Sequence, residues 1–116
     1  MTRPMMWLLT VMFLTCLGLF AKPAGPKGQF VRVELKGAKK TLSVAELQVF
    51  SGGANVALKK EAKQNATGAG GVASRGVDGN TDGNWGGKSV THTPGNKRDP
   101  WWEVDLGKSQ NVDRVQ

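Results

Sequence analysis

Between Phe30 and Leu35 apolar and polar positions alternate, Val31, Val33 and Leu35 against Arg32 and Glu34, which is the period of a half-buried strand. A polar turn, Lys36-Gly37-Ala38-Lys39-Lys40, follows. Leu42 and Val44 resume the alternation, but Leu47 and Val49 with Phe50 have changed phase, and the shift falls at Ala45-Glu46. A phase change of this kind predicts a bulge. The two runs are therefore expected to pair as a hairpin with a charged residue, Glu46, at its irregular point.

Ser51-Gly52-Gly53 breaks the pattern, and Asn55-Val56-Ala57-Leu58 leads into a polar stretch containing Asn65-Ala66-Thr67, a glycosylation sequon in form. From Gly68 to Gly87 there are eight glycines, a density that excludes a regular helix and predicts a compact loop built from turns. The alternation returns at Pro100-Trp101-Trp102-Glu103-Val104-Asp105-Leu106-Gly107. There Trp102, Val104 and Leu106 share one face of a strand, and a further strand begins within Val112 to Gln116. No long segment carries a helical period. The predicted class is all-β, a sandwich or barrel.

The first residues read differently. Arg3 precedes an apolar run from Met5 to Phe20, and the small residue Ala21 follows: a basic, an apolar and a cleavage region in the order of a signal peptide. The run is shorter than the roughly 20 residues a spanning helix needs, and Cys16, preceded by Thr15 and followed by more apolar residues, reads as part of the run rather than as a lipid-attachment site. The expected organisation is a signal peptide over 1–21, a Pro/Gly/Lys linker over 22–28 and one module over 29–116, placing the protein outside the cytoplasm as a secreted product. Cleavage removes Cys16, the single cysteine, so no disulfide is available. A chain this small buries a small core, and small domains without disulfides often recruit a metal or a partner.

The net charge of +7 is compatible with acidic polysaccharide or another anionic surface. Export disfavours nucleic acid, and the lysines, among them Lys39-Lys40, Lys59-Lys60 and Lys63, are dispersed without interleaved aromatics. In sequence they read as solvated loop residues. An enzyme would need a nucleophile with its base, or two carboxylates set in a pocket; His92 is the only histidine, and the aspartates of the glycine-rich loop have another use. The protein is expected not to be an enzyme.

That other use is suggested by Asp78-Gly79-Asn80-Thr81-Asp82-Gly83-Asn84, with an oxygen-bearing side chain at every second residue. Calcium takes six to eight such oxygens. The string meets the first half of the EF-hand pattern and fails the second, since Ser89 stands where a glutamate is required and no flanking helices exist. Spacing alone leaves two readings open, a calcium loop and an Asp/Asn/Gly turn without metal.

Several segments, in order, resemble a known family: Asn55 to Leu58, Lys63 to Thr67, Ala73-Ser74-Arg75-Gly76-Val77-Asp78-Gly79-Asn80, Ser89-Val90-Thr91-His92-Thr93 and Pro100 to Gly107. Together they are similar to the N-terminal half of a discoidin (F5/8 type C) domain, nearest its fucolectin, or F-type lectin, branch. The resemblance implies a jelly-roll β-sandwich of the galactose-binding-like type. It also implies a calcium ion held by the Arg75 carbonyl, Asp78, Asn80 and Ser89. The family's remaining ligands come from a closing hairpin that residues 29–50 resemble, here at the front of the chain. Either the module is permuted, with the Ala45 carbonyl and Glu46 completing the site, or residues 29–50 are the tail of a preceding repeat. The first arrangement gives Glu46 a partner. His92 matches the sugar-binding histidine of F-type lectins, whereas Arg98 and Arg114 do not stand at the positions of that family's two arginines, so His92 reads equally as a ligand residue and as an exposed loop histidine. Trp101-Trp102 opens a core strand, and Trp85 is the expected surface aromatic. The implied function is a calcium-stabilised lectin-like module for extracellular glycans, fucose-type among them. The alternative is a structural or adhesive module of a larger exported protein, completed by a second copy or a neighbouring domain.

Overall fold

The computed structural model describes residues 25–116, and the expected signal peptide lies outside them. The described chain is built of strands β1 (Lys27–Glu34), β2 (Val49–Ser51), β3 (Ala54–Asn55), β4 (Glu61–Gln64), β5 (Trp101–Asn111) and β6 (Arg114–Val115), with two short 3₁₀ turns at Ala73–Val77 and Trp85–Gly87. They form two three-stranded sheets, ordered β1-β5-β4 and β3-β2-β6. The fold is all-β, as the alternation predicts. No helix among the described residues is long and apolar enough to cross a membrane.

Strand β5 is the axis of the first sheet because residues 102–105 are paired on both edges. It pairs antiparallel with β1 from Glu34↔Trp101 to Phe30↔Asp105 and, after an irregularity in which residues 106–109 of β5 lie opposite Gln29, to Lys27↔Asn111. On its other edge it pairs with β4 from Gln64↔Trp102 to Glu61↔Asp105. The period-2 pattern places Trp102, Val104 and Leu106 inward, where they are almost fully buried with Leu47, Val49, Ala57 and Val77. Val31 and Val33 of β1 pack against that cluster, whereas Leu35, beyond the strand, is 38% exposed.

Two expectations are corrected here. The linker expected over 22–28 ends early, because β1 already begins at Lys27 and the Pro26 carbonyl accepts the Val112 N–H at 2.8 Å. The expected hairpin between 30–35 and 42–50 does not form either: β1 pairs with β5, and only Val49–Ser51 of the second run is a strand, against β3 and β6. Residues 42–44 find other partners. Leu42 and Val44 donate their N–H groups to the hydroxyls of Thr93 and Thr91, each at 2.8 Å, and their carbonyls accept the N–H groups of the same two threonines. A hydroxyl thus replaces a main-chain acceptor twice in succession, which is why Thr91 and Thr93 tolerate complete burial. Residues 27–51 are consequently part of the same two sheets as residues 54–115.

The loop that carries the site is seated by Trp102. Its indole N–H donates to the Ala73 carbonyl at 2.9 Å, and its ring lies so close to Gly76 that a Cβ there would stand 2.7 Å from Cζ2. Gly76→Ala is therefore expected to cost about 1–3 kcal/mol, the usual penalty of overpacking, read as a lower urea midpoint. An unchanged midpoint would show that the ring can move aside.

Candidate functional site

The acidic loop starts as a staircase of turns. Asp78 Oδ1 accepts the Asn80 N–H at 2.9 Å, Asn80 Oδ1 accepts the Asp82 N–H at 3.0 Å, and Asp82 Oδ1 accepts the Asn84 N–H at 3.0 Å. Each is an Asx turn, the local bond that Asp and Asn side chains form in place of regular structure. The every-second-residue spacing thus has a backbone use at all three positions. The Asp78 side chain also reaches across the loop, to Ser89.

Ser89, fully buried, sets its hydroxyl 3.2 Å from both carboxylate oxygens of Asp78 and 2.8 Å from the Asn80 carbonyl. Asn80 therefore enters this cluster through its main-chain oxygen. The segment 45–47 closes the other side, since Leu47 N–H donates to the Gly76 carbonyl at 2.7 Å and Gly79 N–H donates to Glu46 Oε2 at 3.0 Å. Gly79 holds φ at +87°, a backbone state that side-chain-bearing residues rarely adopt. The irregular point at Ala45-Glu46 thus lies against the acidic loop, 33 residues away in sequence.

Oxygens outnumber protons in this cluster. One hydroxyl hydrogen of Ser89 faces three acceptors, and Glu46 Oε1 is shielded from solvent with no hydrogen-bond partner. Burial raises the Glu46 carboxyl above its ordinary range; the Gly79 N–H pulls it back, and the charge of Asp78 raises it again. Two adjacent carboxylates with an orphaned oxygen are what a hard cation relieves. Among the described residues no three of His, Cys, Asp and Glu come together. The available donors are two carboxylates, a hydroxyl and main-chain carbonyls, a set that fits calcium and suits soft or imidazole-preferring metals poorly. Arg75 and Ala45 stand near this cluster along the chain.

A second cluster sits at the other end of the same loop. His92 is held by its backbone, donating to the Gly71 carbonyl and accepting from the Gly68 N–H, and its Nδ1 lies 3.3 Å from Ser43 Oγ. Trp85, 46% exposed on its 3₁₀ turn, meets the imidazole edge-on with ring centroids 5.4 Å apart. The Arg75 guanidinium lies 5.7 Å over the same indole and donates to the Val90 carbonyl at 3.3 Å. An aromatic plate flanked by an imidazole and a guanidinium offers an apolar surface and polar hydrogens in one strip. Such a strip suits a sugar, whose C–H face stacks while its hydroxyls bond.

The cation of this strip, the Arg75 side chain, carries no signal in the spacing of the sequence; the family resemblance points only to its carbonyl. Arg114 stacks instead on Phe50 at 4.1 Å, in the second sheet. Trp101 is covered by Arg32 at 4.0 Å on the outer face of the first sheet, and Trp102 is core.

Both clusters draw mainly on one stretch of chain, and that stretch has a known counterpart. Residues 75–116 match the NedA-like, galactose-binding domain of the F5/8 type C group. No curated protein and no solved structure matches the chain. The matched stretch takes in Arg75, Asp78, Asn80, Trp85, Ser89, His92 and the core strand β5. Ala45 and Glu46 lie before it. The galactose-binding-like match points to a carbohydrate-binding module, a class whose members are in general not catalytic.

Proposed function

We propose that this chain is an exported carbohydrate-binding module, lectin-like, whose ligand face is the Trp85–His92–Arg75 strip and whose loop is stapled by calcium. The observation that carries the proposal is that strip, since it combines an exposed indole with two polar cations or donors inside the stretch that matches a galactose-binding domain. In this reading the sugar ring stacks on Trp85, with His92 and Arg75 bonding its hydroxyls. Galactose-type and fucose-type sugars are the class to test. The calcium ligands are Asp78, Glu46, the Ser89 hydroxyl and the carbonyls of Asn80, Arg75 and Ala45. Calcium supplies neutralisation of the facing Asp78 and Glu46 carboxylates, and these residues do the remaining work of fixing the loop that carries Trp85. The packing of residues 27–51 into the same sheets supports the permuted arrangement.

Titration of galactose, fucose and a panel of extracellular glycans is the test. The wild-type protein is expected to bind at least one of them, and Trp85→Ala and His92→Ala are each expected to weaken that binding by at least about tenfold, or about 1.4 kcal/mol. Indifference of the wild type to every glycan would sink the lectin reading and favour a structural or adhesive module.

A further inference from the structure

In sequence the lysines look dispersed, yet the fold brings two of them and Arg75 to one place. A groove of about 350 Å³ opens beside the first 3₁₀ turn, lined by Lys59, Lys60, Ser74, Arg75, Val77 and Asp78. Consecutive residues of a regular strand point to opposite faces. Lys59 escapes that rule because its φ is +60°, with its N–H donated to the Val77 carbonyl at 2.7 Å, while the Lys60 N–H closes back on the Ala57 carbonyl at 3.0 Å. The turn thereby sets both lysines on one wall of the groove.

These charges lack local compensation. The ion pairs among the described residues are Arg32–Glu103 and Lys36–Glu34, so neither Lys59 nor Lys60 has a carboxylate within bonding reach. Asp78 is the single acid lining the groove, and its oxygens are engaged by Ser89 Oγ and the Asn80 N–H. Lys59, Lys60, Arg75 and Ser74 therefore line an open space that has one acidic residue. Arg75 lines this groove, and its guanidinium lies 5.7 Å over Trp85, so one residue borders both surfaces.

We propose that this groove receives the anionic substituent, a sulfate ester or a carboxylate, of an acidic glycan whose sugar ring lies on Trp85. The inference rests on the sugar-binding reading of that strip and names the ligand class. Charge-assisted bonds from lysine and arginine are about twice as strong as neutral ones, so the substituent sets the preference while the indole supplies contact common to all the sugars.

The test compares galactose, galactose 6-sulfate, galacturonate and inorganic sulfate by calorimetry on the wild-type protein and two double variants. Wild type is expected to hold the two charged sugars at least about fivefold more tightly than galactose, with the gap closing at 1 M salt, where screening reaches about 3 Å. Lys59→Gln with Lys60→Gln should bring the charged sugars to the galactose level and leave galactose itself unchanged. Lys27→Gln with Lys108→Gln, which removes equal charge outside the groove, should alter neither. Equal affinity of the wild type for charged and neutral sugars overturns the inference and leaves the sugar-binding reading standing. Discrimination that survives Lys59→Gln/Lys60→Gln, or that disappears equally in Lys27→Gln/Lys108→Gln, overturns it as well. So does inorganic sulfate binding as tightly as the charged sugars. Failure of the wild type to bind any sugar removes the reading beneath it.

Discussion

Calcium at about a hundred times its dissociation constant is expected to stabilise the fold by about 2.7 kcal/mol, which for a domain of this size raises the midpoint of thermal unfolding by roughly 10 °C or more. The gain arises because folding sets Glu46, bonded by the Gly79 N–H across 33 residues of chain, beside Asp78, and the unfolded chain has no such pair. Asp78→Ala removes the residue that both Ser89 and the Asn80 turn depend on, so it should abolish the rise. Glu46→Gln separates the metal from simple damage. With a chelator present the amide relieves the buried charge and its repulsion with Asp78, and the variant should melt at or above the wild type. With calcium present it should melt below, because a neutral amide is a poor substitute for a carboxylate ligand. A wild-type midpoint indifferent to calcium would falsify the metal assignment, and a Glu46→Gln variant that is weaker under both conditions would reduce Glu46 to a hydrogen-bond acceptor for Gly79.

Replacing Trp102 by alanine is expected to cost about 3–5 kcal/mol, a large part of the 5–15 kcal/mol that holds a typical domain together. The ring is fully buried near the start of β5, between β1 at Val33 and β4 at Gln64, and its N–H is the partner of the Ala73 carbonyl. Its loss opens a cavity beneath the 3₁₀ turn from which the acidic loop departs. Trp102→Phe provides a milder variant if the alanine protein does not fold. Its smaller ring also relieves the contact at Gly76, so Gly76→Ala should cost less in the Trp102→Phe background than in the wild type. Additive denaturation midpoints in that double-mutant cycle would show that ring and glycine do not press on each other.

What could be read from the chain itself was local. Alternation at Trp102, Val104 and Leu106 encodes which face of β5 is apolar, because the side-chain period of a strand is two residues and needs no knowledge of the partner. The glycine, Asn and Asp run from Gly68 to Gly87 encodes a turn-built loop for the same reason, since the Asx turns of Asp78, Asn80 and Asp82 each close within two residues. The phase change at Ala45-Glu46 predicted a bulge in a paired strand, but residues 42–48 form no strand.

Pairing was a different matter. Two short alternating runs joined by a polar turn are locally compatible with a hairpin, but β5 offered β1 a longer edge, and the buried hydroxyls of Thr91 and Thr93 satisfied residues 42–44 instead. No local preference distinguishes those outcomes, because the free energy lies in which distant edges and apolar faces are covered together. The same holds for the charged groups. The sequence by itself determined the apolar face of each strand and the turn chemistry of the acidic loop. Only the tertiary structure decided that Glu46 faces Asp78, that Arg75 covers Trp85 beside His92, and that Lys59 and Lys60 share one groove with that arginine, because each of these depends on packing between segments whose separation along the chain says nothing about their distance in space.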